Sequence, residues 1–374
     1  MLASCFLVVL SLVMDVLLSD LSARVILANA ASKPLYIRGG GTKAFYGNPP
    51  VKGSVVLDMS PYTGIVNYQP TELVITARAG TPLVEIEAAL AENRQMLAFE
   101  PPHFSSGATL GGCVAAALAG PRRGAAGGVR DYVLGIRMLD AQGRVLRFGG
   151  EVIKNVAGYD VSRLLTGSLG TLGIILDVSL KVLPIPAEEV TLRFDMTESQ
   201  ALYQINQWGG QPLPISASAW TAKNGGRLTV RLSGAEQAIL AARRRMGGEA
   251  LEPAEASQWW RMLRDHTHPF LTATPLWRVS VPPTTPALNL GPTIIEWGGA
   301  QRWLSGPQKA RALRAAVHEL GGHVTLFRAA SPEQAHEVGV FQPLSAGLAA
   351  IHHRLKNEFD PSGVFNPGRM YPGL

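Results

Sequence analysis

Residues 35–58 read LYIRGGGTKAFYGNPPVKGSVVLD, and the choice of fold turns on what joins their two apolar runs. Leu35–Ile37 and Val55–Leu57 are short β-rich segments. Gly39 to Ala44 satisfies G-x-G-x-x-[GA], and Asp58 ends the second run near where a nicotinamide-binding unit carries its ribose carboxylate. That unit needs a crossover helix between its strands. Ala44–Ser54 carries Gly47, Pro49, Pro50 and Gly53, which cannot sustain one. The Rossmann reading is therefore set aside.

Two more glycine-rich turns lie downstream, Ser105–Gly112 (SSGATLGG) and Thr166–Gly173 (TGSLGTLG), each beside an apolar run. Without a Cβ, glycine lets backbone N–H groups approach a ligand closely, and diphosphate rewards that approach most. Three such turns in one apolar framework predict a long ligand wrapped by several loops, which fits a dinucleotide. The predicted helix Thr109–Leu118 is short of bulk, with Gly111, Gly112, Ala115, Ala116 and Ala117. Two readings stay open: tight helix-on-sheet packing, or a cofactor laid across the helix N-terminus.

The composition narrows the class. With 374 residues, 47% hydrophobic and 17% charged, the chain can bury a large core in two domains, and disorder is excluded. A net charge of +6 with scattered basic residues, clustered only at Arg122/Arg123 and Arg243–Arg245, argues against a nucleic-acid groove. Cys5 and Cys113 are the two cysteines, which excludes a disulfide framework and an iron–sulfur cluster held by this chain alone, since a cluster takes about four thiolates. Redox chemistry here would need an organic cofactor and an outside electron acceptor. Met1–Val13 is apolar yet short of a membrane span, and Val16, Leu17, Leu21, Val25 and Ile26 suit an amphipathic helix beginning near Met14. Three readings of this terminus stay open: an over-extended start with Met14 as initiator, a secretory signal, or a membrane-surface anchor. The compartment expected is the cytoplasm.

Strands are predicted at Leu73–Ala77, Tyr132–Leu139, Val145–Phe148 and Ile174–Val182, with a hairpin at Ala141-Gln142-Gly143. One helix is expected to be capped by Thr81 and opened by Pro82, with Leu83, Ile86 and Leu90 on its inner face. Leu183-Pro184-Ile185-Pro186 marks a boundary. Beyond it, strands at 190–194, 215–220, 228–232, 276–281, 293–297 and 324–327, with helices at 235–246 and 307–320, predict an antiparallel sheet carrying helices on one face. A last helix is predicted at Leu344–Glu358.

The glycine turns and Lys154–Asp160 (KNVAGYD) resemble the FAD-binding domain of the vanillyl-alcohol-oxidase or PCMH type. Asn67–Gly80 (NYQPTELVITARAG), Gly120–Gly124 (GPRRG), Val129–Gly135 (VRDYVLG) and Gly363–Tyr371 (GVFNPGRMY) resemble the FAD-binding E-subunit family of bacterial glycolate oxidases, over residues 15–374. The resemblance implies an α+β flavoprotein. Residues 1–14 would be an extension, 15–186 a PCMH-type domain of two α+β subdomains, 187–342 a substrate or cap domain built on the antiparallel sheet, and 343–374 a segment returning to the flavin. Arg38, Gly39, Gly40, Gly41, Thr42 and Lys43 would hold the pyrophosphate with Ser105, Ser106, Gly107, Ala108, Thr109, Leu110, Gly111 and Gly112, the Thr109 helix pointing its positive end there. Gly127, Val129 and Asp131 would meet the ribityl or isoalloxazine part. Asn155, Gly158 and Tyr159 within 151–160, with Gly173, Ile174 and Ile175, would enclose the adenosine and rim the flavin.

Some members of the wider fold attach FAD through a histidine in the first loop; Gly41-Thr42-Lys43 stands here, so FAD is expected to be non-covalent. Related D-2-hydroxy-acid dehydrogenases carry an H-x-H-x-G-D-G-N segment that is absent from this chain, and G-S-E-G where this chain has Gly167-Ser168-Leu169-Gly170. No metal site is expected. The implied partners are a second FAD-containing subunit, in which the family's catalysis is usually placed, and an iron–sulfur subunit, with peripheral membrane association through the complex. The implied reaction is oxidation of glycolate to glyoxylate; a non-catalytic flavin-containing assembly subunit and a self-sufficient 2-hydroxy-acid oxidase are the alternatives. Such oxidation needs hydride delivery to flavin, a base for the hydroxyl and a cation for the carboxylate. His323, Arg369 and Lys154 are the candidates, against plain roles as a turn residue, a surface ion pair and a phosphate or Asp160 partner. His103, His352, His353, Trp259, Trp260 and Trp297 are read as loop, helix-face and core or interface residues.

Overall fold

The computed structural model describes residues 2–150, 159–222 and 225–374. Helix α1 (Leu2–Ala30) begins well before Met14. Its inner face is Met14, Leu21, Val25 and Ala28, whereas Val16 and Ile26 of the expected apolar stripe are exposed. Leu21 and Val25 bury almost completely against Leu139, Ala141, Ile174 and Leu176, about 1.5–3 kcal/mol each. Ser22 Oγ donates to the Gly143 carbonyl in the predicted hairpin, 2.7 Å.

Strands β1 (Leu35–Arg38) and β2 (Val55–Asp58) pair in parallel. Residues 39–54 connect them without a regular helix, as the prolines and glycines demand. Next come β3 (Ile65–Gln69), β4 (Val74–Arg78), the short β5 (Gln95–Met96), β6 (Val133–Leu139), β7 (Val145–Gly149), β8 (Ile174–Lys181) and the short β9 (Leu183–Pro184). The order β3-β4-β8-β6-β7 makes one antiparallel sheet, and β5 pairs with β9. Strand β3 is missing from the sequence reading, and Leu73, expected within β4, sits before it at φ 56°.

Helix α2 (Leu83–Glu92) buries Leu83, Ile86 and Leu90 as expected. Thr81 does not cap it. Its hydroxyl is held by Gly64, accepting from the Gly64 amide and donating to the Gly64 carbonyl, and Pro82 stands at the N-cap. Helix α3 (Leu110–Ala116) is shorter than predicted because Ala117 turns left-handed at φ 51°. The brief α4 (Arg123–Ala126) and α5 (Val161–Leu165) complete this half.

The second half is an eight-stranded antiparallel sheet. Its strands are β10 (Glu188–Asp195), β11 (Ile215–Thr221), β12 (Arg227–Gly234), β13 (Glu249–Ala250), β14 (Leu276–Ser280), β15 (Thr293–Glu296), β16 (Gln301–Ser305) and β17 (His323–Arg328), ordered 13-10-12-11-15-16-14-17. Helices α6 (Glu198–Gly209) and α7 (Glu236–Met246) cover one face through Leu202, Ile205 and Ile239. Helix α8 (Pro253–Arg264) corrects the one-face expectation. Its Trp260 and Leu263 bury on the opposite face with Ala217, Ala219, Trp303 and Phe327, in the seam against the first half. Helix α9 (Ala310–Glu319) returns to the first face with Leu313 and Val317. Helices α10 (Pro332–Val338), which the sequence reading lacks, and α11 (Ala346–Phe359) lead to a terminal segment that crosses back to β1.

Candidate functional site

The three glycine turns converge on one groove. At the first, Gly41 takes φ 71°, and the amides of Gly39, Gly40, Gly41, Thr42 and Lys43 find no acceptor among the described residues. Glycine here also permits contact between turns. A Cβ on Gly40 would lie 1.5 Å from the Gly107 carbonyl oxygen, and one on Gly39 would lie 2.3 Å from Thr109 Oγ1. The groove that follows is floored by Gly112, Ala115 and Ala116 and adjoins a second hollow. Ile37, Gly39, Thr109, Leu169 and Asn366 wall both. Five unpaired amides at the mouth of a small-residue groove form an anion cradle that fits the diphosphate of FAD.

Helix α3 contributes its floor and not its positive end. The Leu110 amide donates to the Thr81 carbonyl (2.9 Å), Gly111 to the Ala79 carbonyl (2.7 Å), and Gly112 to Thr109 Oγ1 (3.3 Å). The amides expected for phosphate are thus spent within the protein, and the seven-residue helix has little dipole to offer. Gly111 serves packing, since its Cβ would meet Ala79 Cβ at 2.6 Å.

The third turn rests on α3. The Gly167 and Leu169 amides donate to the Val114 and Ala115 carbonyls, at 3.0 and 2.9 Å. Asn366, which the sequence reading did not single out, joins the third turn to β1: its Nδ2 donates to the Leu169 carbonyl (2.6 Å) and its Oδ1 accepts from the Ile37 amide (2.8 Å). Arg369 is almost fully buried, and its guanidinium donates to the carbonyls of Asn48, Tyr46 and Ala44. Burial holds it below the usual arginine range. The side chain read as a candidate for flavin or substrate lines the groove and also ties down the loop after the first glycine turn. Lys356, also buried, donates to Asp360, the Thr171 carbonyl and the Phe365 carbonyl at 2.6–2.8 Å, anchoring α11 to the third turn.

Other expected residues scatter. Arg38, Thr42, Lys43, Gly173 and Ile175 line the groove or its neighbour, Gly107 stands beside Gly40, and Ser105 and Ser106 are not among the residues lining either. Ala108, Leu110 and Ile174 are buried in cores behind it. Gly127, Val129 and Asp131 are not brought to it: Val129 is buried, and Asp131 caps its own turn by accepting from the Gly128 amide at 2.8 Å. Tyr159 is 94% exposed, and Lys154, Asn155 and Gly158 lie outside the described residues. His323 stands at the solvent-facing start of β17 and does not line the groove; partial desolvation and then Arg278 lower its pKa. Burial, opposed by Cys113 and Asp265, pulls the Lys43 amine below the usual lysine range, and burial pushes the Cys113 thiol up to about 11, so the thiol stays protonated.

Residues 18–149 match the FAD binding domain family. The chain is 48% identical over 343 residues to glycolate oxidase subunit GlcE of Escherichia coli, covering 91% of this chain and 93% of that protein. It is 35% identical over 161 residues to glycolate oxidase subunit GlcD of Bacillus subtilis, covering 42% of this chain and 34% of that one. Among solved structures, p-cresol methylhydroxylase superposes with a TM-score of 0.70 over 96% of this chain and 88% of its own, at 15% identity, a likeness of fold.

Proposed function

This chain belongs to the GlcE family of glycolate oxidase subunits, and from that membership we propose that its glycine-turn groove holds FAD for oxidation of glycolate to glyoxylate. It is an FAD-binding oxidoreductase subunit of a multi-subunit glycolate oxidase. The single observation that carries the cofactor's place is the run of five amides, Gly39 to Lys43, that line the groove and have no acceptor among the described residues. When bound, FAD supplies a two-electron acceptor for the α-hydrogen of a 2-hydroxy acid. The amides of Gly39–Lys43 bind the diphosphate, Gly112 and Ala115 let the cofactor lie close, and Asn366 and Arg369 hold the turns in register. No histidine stands in that loop, so the cofactor is held without a covalent bond.

The division into 15–186, 187–342 and 343–374 is part of the same reading, as are an iron–sulfur subunit to take the electrons and attachment to the inner face of a membrane through the complex. No helix among the described residues is long and apolar enough to cross a membrane. A second reading, in which this flavin serves the partner subunit's turnover, draws on His323, the one described candidate base, not lining the groove itself. The test is the purified chain with its visible spectrum taken before and after anaerobic glycolate. A flavin band that bleaches supports turnover here. A band that persists until the partner is added supports the second reading, and a chain without flavin refutes both.

A further inference from the structure

Where this protein buries arginines for structure, it gives them acceptors. Arg122 and Arg231 share Glu100 and Glu189, Arg314 takes the Val338 and Gly339 carbonyls, and Arg369 takes three carbonyls. The seam between the first glycine loop and the eight-stranded sheet carries three half-buried cations with fewer protein partners. Arg278 on β14 donates one bond, to the Tyr46 hydroxyl at 3.0 Å, and Arg328 on β17 donates one, to the Leu271 carbonyl at 2.6 Å. Lys43 has only a 3.5 Å contact with Thr42 Oγ1. None of the three has a carboxylate within 4.0 Å among the described residues; Asp265, whose field reaches Lys43, is itself paired with Arg264.

All three cations lie on one aromatic wall. The Arg278 guanidinium stands 5.7 Å from the Tyr46 ring and 5.6 Å from Phe327, Arg328 stands 4.6 Å from Phe45, and the Lys43 amine stands 5.6 Å from Phe104. His266 lies in the same wall, stacked on Phe327 at 4.9 Å and edge-on to Trp303 at 4.8 Å, and its buried Nδ1 has no partner among the described residues. Half-buried cations set on one wall repel one another, and an anion between them relieves that repulsion. A guanidinium held on aromatic faces with its remaining N–H groups free offers the fork that a carboxylate accepts. Lys43 belongs both to this wall and to the lining of the groove, so an anion here adjoins the cofactor's place.

We infer, on the flavoprotein reading above, that Arg278, Arg328 and Lys43 form the subsite for the carboxylate of the 2-hydroxy acid, with Arg278 as its principal contact. His323 shares the sheet face of Arg278, because Arg278 pairs with Thr325 and Ser280 with His323, so the exposed imidazole stands two residues along the strand from the carboxylate contact.

The probe is oxalate, a two-carbon carboxylate with no α-hydrogen to give up, titrated calorimetrically into the FAD-loaded chain. Arg278→Gln should weaken oxalate by about tenfold or more at unchanged FAD content, as loss of a charged hydrogen-bond pair demands. Arg354→Gln, on the exposed face of α11, should leave it unchanged. Tyr46→Phe separates binding from scaffolding: it should stay within about threefold, because it removes a hydroxyl and no charge. Unchanged oxalate affinity in Arg278→Gln would overturn the assignment, as would a Tyr46→Phe loss equal to that of Arg278→Gln. Loss of FAD with oxalate affinity retained would give these cations to the cofactor instead. A wild-type chain that keeps FAD and ignores oxalate overturns this assignment alone, whereas one without FAD overturns the flavoprotein reading with it.

Discussion

Replacing Gly40 by alanine probes the contact on which the groove depends. The added methyl would fall 1.5 Å from the Gly107 carbonyl oxygen, and ordinary contact needs about 3.5 Å, so the first and second turns must part by about 2 Å. Gly40 is absent from the positive-φ glycines, so the effect is steric and not conformational. Overpacking of this kind costs about 1–3 kcal/mol. Because the displaced turns carry the unpaired amides, the loss should fall on cofactor affinity, a weakening of about 5- to 150-fold. The assay is FAD titration of apoprotein followed by flavin fluorescence, with urea unfolding of the same samples. Gly347→Ala on α11, where a Cβ meets nothing within 4 Å, is the control and should bind FAD normally. A Gly40→Ala protein that matches wild type in both measurements would refute the idea that these turns must touch to hold FAD.

Three further outcomes are expected. Arg369→Met leaves three loop carbonyls without their donor and should lower stability by about 3 kcal/mol in urea, with FAD affinity falling too; unchanged unfolding would place the guanidinium elsewhere. Lys356→Met strands Asp360, which is fully buried, and should cost about 3–5 kcal/mol by the same measurement. Burial raises the Glu296 carboxyl from 4.5 to about 7, despite hydrogen bonds from Trp303 and Gln301. A raised acid favours the protonated native state, so this contribution is fully present below pH 4.5 and disappears as pH rises through about 7, about 3 kcal/mol in all. Urea unfolding across that range should fall in the wild type and lose this component in Glu296→Gln; parallel curves would contradict the buried acid.

The glycine turns, the absence of a crossover helix and the alternating sheets were legible because each depends on neighbours in sequence. Residues 39–54 forbid a helix by their own prolines and glycines, whatever surrounds them. The character of α3 was not legible, because the carbonyls that consume its amides belong to Ala79 and Thr81. The anchoring role of Arg369 was hidden for the same reason: its acceptors lie more than 320 residues upstream. Helix α8 escaped notice although its outline is regular, since its apolar side, Trp260 and Leu263, is matched by a sheet face that the one-face pattern left uncovered. Asn366 had a local signal in the Phe-Asn-Pro-Gly turn, a buried aromatic followed by a residue at φ 40°.

The bond from the Ile37 amide to Asn366 spans 329 positions of chain. On the ribosome, β1 emerges early and waits for almost everything else to be made before its groove acquires that wall. Cofactor capture is therefore a late event in biosynthesis, and a chain halted after the eight-stranded sheet would leave the ribosome with its glycine turns untied and its flavin unclaimed.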